Sequence, residues 1–144
     1  MNISTHHFEL KTKGNTEIID ITEQVQSIID SYNYYQGNAL IFVGGSTAAI
    51  STIEYEPGLL KDYPNFFERI IPSNQRYEHD NTWHDGNGHS HIRAALQGAS
   101  FTVPFLNGKL LLGTWQQIIL IDFDNKPRNR KIIIQLTGEK KDEK

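Results

Sequence analysis

Hydrophobic and polar positions alternate in three distinct ways along the chain. In TEIIDI, Thr16–Ile21, the alternating Ile19 and Ile21 predict a strand. Thr22 follows with a side-chain oxygen suited to a helix start, and Val25, Ile28, Ile29 and Tyr32 recur at helical spacing. A first helix is therefore predicted from Thr22 to about Asn33. ALIFVG, Ala39–Gly44, is an unbroken apolar run of strand length and reads as a central strand covered on both faces. Leu59, Leu60, Tyr63, Phe67 and Ile70 share a helical face, with Pro64 inside the pattern as a predicted kink or restart. Ile92, Ala95 and Leu96 predict a short helix closed by Gly98. The last third is β: SFTVPF and KLLLGTW flank Asn107-Gly108, a hairpin signal, and QIILIDF and RKIIIQL are two more strands joined by a proline-containing turn.

This order predicts an α+β fold, an antiparallel sheet or β-sandwich with two main helices. Two helices are few for covering long Ile-rich strands on both faces, so a second sheet or a subunit interface is expected to complete the core. The 144 residues suit one domain, residues 1–138, with a charged tail at 139–144 expected to be disordered.

Composition narrows the class. Hydrophobic residues make up 38% and charged residues 22%, which fits a folded globular protein. A net charge of -3 argues against general nucleic-acid binding. No apolar run approaches the roughly 20 residues of a membrane span. MNISTHHFEL lacks the charged and apolar regions of a secretion signal, so a cytoplasmic location is expected. The absence of cysteine leaves His, Asp, Glu and backbone oxygen as the possible metal ligands.

Candidate chemistry concentrates in WHDGNGHSH, Trp83–His91, which holds three of the six histidines; His79 lies just upstream. Neutral imidazole is a common ligand for first-row metals. His89 and His91 share a face only if the chain is extended through Ser90, the expected N-cap of the following helix; on a helix they diverge. The plain alternative is a solvated glycine-rich turn. Asp85 and Asn87 either orient an imidazole through its second nitrogen or shape the turn. Ser46 and Thr47 follow a Gly-Gly pair and could cradle an anion, with Arg93, Arg128 and Arg130 as candidate clamps. For Arg128 and Arg130, solvated turn positions are the stronger reading.

The stretches STAAISTIE, YEHD, GHSHIRAALQG and GTWQQI carry a resemblance to the YjbQ-like family, often described as secondary thiamine-phosphate synthases. The resemblance spans about Phe8 to Gly138 and is most specific from Ser100 to Ile118. It implies a compact β-sandwich domain, a homotrimer, and a transferase activity that joins a pyrimidine diphosphate to a thiazole phosphate. It also implies three histidine positions: the second matches His79, the third matches His91, and the first falls on Gly45, leaving His89 as the candidate to compensate. The implied metal ligands are thus His79, His89 and His91, for a divalent ion such as Zn or Mg. The implied acid matches Glu54 better than Glu56; it could complete a metal shell, act as a base, or simply favour a helix start. With Glu54, Asp85 and Gln116 as catalytic candidates and Ser46, Thr47, Asn87 and Arg93 on the phosphate, the expectation is a small-metabolite enzyme. The alternative is a metal- or ligand-binding homo-oligomer without turnover.

Overall fold

The computed structural model describes residues 1–141. In chain order the elements are β1 (Asn2–Thr12), β2 (Glu17–Asp20), α1 (Thr22–Ser31), β3 (Tyr34–Val43), β4 (Ala48–Ile53), α2 (Leu59–Ile70), α3 (Glu78–Trp83), α4 (Gly88–Gln97), β5 (Ser100–Leu106), β6 (Lys109–Leu110), β7 (Gln117–Asp122) and β8 (Arg128–Lys140). The strands form two antiparallel sheets, β1-β8-β3-β5-β6 and β2-β7-β4.

The fold is α+β, and the second sheet supplies the cover that two helices could not. Between the sheets Ile41, Ile132 and Ile134 of the larger one meet Ile50, Ile118 and Leu120 of the smaller, joined by Val25 and Ile29 of α1. On the far side of the smaller sheet Ile119 and Ile121 meet Phe67 of α2 and Ala94 of α4. Successive side chains of β7 thus enter two different cores. A fully buried aliphatic side chain of this size contributes about 1.5–3 kcal/mol, so β7 anchors both layers.

That doubly covered role was expected of Ala39–Gly44, and within a single chain the structure gives it to β7 instead. β3 is central in its sheet, yet only Ala39, Ile41 and Val43 face the core, while Leu40 is 36% exposed and Phe42 41% exposed. A continuous apolar run does not reveal whether its outer face has a cover.

The hairpin forms as predicted: Asn107 and Gly108 have φ of 54° and 75°, the left-handed pair that matches strand twist. Thr22 is the first helical residue rather than the cap, because its hydroxyl donates to Asp20 and accepts from the Ile118 amide, tying α1 to β7. Pro64 sits within α2, which continues to Ile70. Among the described residues α1 and α2 are the two main helices expected, α4 is the short helix closed by Gly98, and α3 is a further short helix. β1 escaped the periodicity because two of its inward positions are Ser4 and His6. Glu139 and Lys140, placed in the charged tail by the sequence, are strand: β8 pairs Glu139 with Gln36 and Lys140 with Tyr34. Residues 142–144 lie outside the described residues. No helix among the described residues is long and apolar enough to cross a membrane.

Candidate functional site

The site is built where β3, β7 and the start of β8 end near the loop Gly44–Thr47. Asp122 and Asp124 continue the face of Ile118 and Leu120 through the end of β7 and are fully buried. A buried carboxylate needs partners, and each has several. Arg130, 7% exposed, clamps Asp122 with Nε at 2.7 Å and Nη2 at 2.9 Å. Its Nη2 also donates to the Thr47 hydroxyl, which in turn donates to Asp124. Asp124 accepts from Arg128 Nε at 2.7 Å, from Asn87 at 3.2 Å and from the Asn125 amide. Burial alone would raise the Asp124 carboxyl. The hydrogen bonds, led by that from Arg128, overcome it and hold the group at about 2.

Helices α3 and α4 bring imidazoles to the rim. The His79 and His91 rings lie 4.2 Å apart between centroids, tilted by 38°. His79 Nδ1 is buried without a hydrogen-bond partner, 3.8 Å from Asp85. Burial lowers the His91 pKa, and the neighbouring His79 lowers it further, so His91 favours the neutral form. Rim and floor enclose a cavity of about 470 Å³.

Ligand atoms of His79, Asp80 and Asp85 lie within 4.8 Å of one another. The donor set fits a divalent ion, because an imidazole nitrogen without a protein partner stands beside two carboxylates. Asp80 has a structural duty as well, accepting the Gly88 and Tyr77 amides.

The comparisons with known proteins agree with this architecture. Residues 6–139 match the family model described as UPF0047 protein YjbQ-like. The chain belongs to the YjbQ-like family. A UPF0047 protein of Archaeoglobus fulgidus is 41% identical, over 88% of this chain and 95% of its own. The UPF0047 protein YugU of Bacillus subtilis is 36% identical, over 90% and 96%. Among solved structures, a YbjQ-like protein of unknown function from Sulfolobus solfataricus is similar with a TM-score of 0.86 at 32% identity, covering 96% of this chain and all of that one. A hypothetical protein from Aeropyrum pernix gives a TM-score of 0.88 at 29% identity, over 94% of this chain and 99% of its own.

Within this YjbQ-like site the sequence candidates divide. Ser46, Thr47, His79, Asp85, Asn87 and His91 line one cavity, together with Arg128 and Arg130. His89 is not among them. Helix α4 begins at Gly88 rather than Ser90, because Asp80 of α3 accepts the Gly88 amide from outside the helix. Each helical residue turns about 100°, so His89 and His91 diverge. His89 packs toward Tyr77 and a smaller cavity that it shares with Arg93.

Arg93 is no free clamp: it donates to the Ile71 carbonyl, Thr16 and Glu68, binding α4 to α2. Glu54 is exposed in the loop after β4 and lies outside the cavity, while Glu56 caps α2 by accepting the Gly58 and Leu59 amides. Gln116 accepts the Gly113 amide and donates to Thr52, which shapes the GTWQ turn. Trp115 is exposed there. Arg130 is the opposite correction, a buried organiser where a solvated residue was expected.

Sequence reasoning missed Asp80, Asp122 and Asp124. For the last two a signal exists: acids at alternate positions of QIILIDFD continue an apolar strand, with arginines shortly after.

Proposed function

We propose that this chain is an enzyme of small phosphorylated metabolites acting in the His79–His91–Arg128 cavity. The reaction to test first is the thiamine-phosphate synthase type, in which a thiazole nitrogen attacks the methylene carbon of a pyrimidine diphosphate. The C–N bond forms as the C–O bond to the diphosphate breaks, and pyrophosphate leaves. The observation that carries the reading is a cavity whose floor presents oriented cations and whose rim presents imidazoles. Arg128 is held at Nε by Asp124, which leaves its outer edge to accept charge on a leaving group. Ser46 and the backbone of the Gly44–Thr47 loop would position oxygens. A divalent ion held by His79, Asp80 and Asp85 would supply further charge neutralisation when bound.

The test is release of pyrophosphate from the two named substrates with Mg or Zn present. We expect Arg128→Ala to lower kcat at least about ten-fold while the protein stays folded. Turnover unchanged in that variant would refute the assignment. The second reading, binding without turnover, is favoured by the His79–Asp80–Asp85 set, and full metal loading with no product would support it.

A further inference from the structure

The polar cavity does not end at Gly45. A second cavity of about 370 Å³ shares Gly45, Ser46 and His91 with it and continues past them between Ala48, Ala95 and Ala99. Its walls are methyl groups and glycine backbone, so beyond the shared residues no side chain offers a hydrogen bond. The two chambers therefore differ in chemistry and meet at one point.

Arg130 marks that point. Its side chain is 8% exposed, and Asp122 and Thr47 take Nε and Nη2. Nη1 has no acceptor among the described residues. A Cβ on residue 45 would lie 2.9 Å from this Nη1, and Gly45 has φ of +111°, so glycine is what lets the guanidinium edge stand at the junction. The side chain is anchored before any ligand arrives, and its remaining donor is fixed in direction. Arg128 brings a second guanidinium from the same wall. Asn87, 2% exposed and also lining the polar chamber, keeps a buried Oδ1 without a partner. It suits a ligand hydroxyl or a protonated phosphate oxygen.

We infer that the site takes a phosphate monoester lying across both chambers, its oxyanion on Arg130 Nη1, Arg128 and the Gly45–Thr47 loop, and its apolar organic group past Gly45 in the alanine-lined chamber. This rests on the proposed reading of the polar cavity and adds the direction and character of the ligand. His91, a wall of both chambers, stacks against the group where it leaves the phosphate. Ala95 sets the room available, being a helix residue whose methyl lines the apolar chamber.

The test is calorimetric titration with methyl phosphate and phenyl phosphate at neutral pH, on the full chain and on Ala95→Leu. Residue 95 is exposed on α4, so leucine there suits the helix, and circular dichroism checks the fold. We expect phenyl phosphate to bind about ten-fold more tightly than methyl phosphate, and Ala95→Leu to remove that advantage while leaving methyl phosphate unchanged. Equal affinities in the unaltered chain overturn the inference, as does an advantage that survives Ala95→Leu. Ala95→Met, a more flexible filler, repeats the arm if the leucine variant misfolds. If methyl phosphate fails to bind at all, the reading of the polar cavity falls first and this inference with it.

Discussion

Asp124→Asn is the substitution that most directly probes the floor of the site. The carboxylate is fully buried and bonded to Arg128, Asn87, Thr47 and the Asn125 amide. Its pKa falls from an ordinary 3.8 to about 2, despite the burial that opposes ionisation. That displacement corresponds to about 2 kcal/mol of stability contributed by the ionised form. Because the folded pKa is depressed, the contribution is complete above the unfolded value and disappears as pH falls through the folded one. Asparagine keeps the shape and does not titrate in this range. The unaltered protein should therefore exceed Asp124→Asn by about 2 kcal/mol at neutral pH, and by about half of that near about pH 3. Urea unfolding at a series of pH values and one protein concentration measures the gap, concentration being held because assembly would shift apparent stability. A gap that stays constant or widens on acidification would show that Asp124 is not the charged hub described here.

Two further outcomes test the site and the assembly. Metal content by elemental analysis should fall steeply in His79→Ala and clearly in Asp85→Ala, but not in His89→Ala, which should instead lower stability by about 1–3 kcal/mol because its ring is buried; equal metal loss from His89→Ala would overturn the placement of its ring outside the metal-binding set. The expected homotrimer would cover the exposed Leu40 and Phe42 on the outer face of β3, so sedimentation should give the mass of three chains and Phe42→Asp should shift it towards one; a monomer in the unaltered protein would refute that expectation.

Much of the local structure was legible from the sequence because its causes are local. The period of Val25, Ile28 and Ile29 produced α1, the Asn107-Gly108 pair produced its hairpin, and Gly98 closes α4 with φ of 97°. The Ile-rich strands also implied a second covering layer, since apolar faces must be buried somewhere. What they could not say is which strand has two covered faces, because Ala39–Val43 and Ile118–Ile121 are both unbroken apolar runs and only sheet order separates them. The candidate site divides the same way. The family resemblance pointed to His79 and His91, with His89 as the candidate to compensate for Gly45, but whether His89 joins the other two depended on where α4 begins. That is settled by Asp80, an acceptor from another helix. Arg130 read as a turn residue until β7 and β8 placed it between Asp122 and Thr47. Gly45 is legible only in three dimensions, where its missing Cβ makes room for a guanidinium from residue 130. Propensity and periodicity act over a few residues, whereas burial, ion pairing and capping from a distance require the chain to have returned to itself.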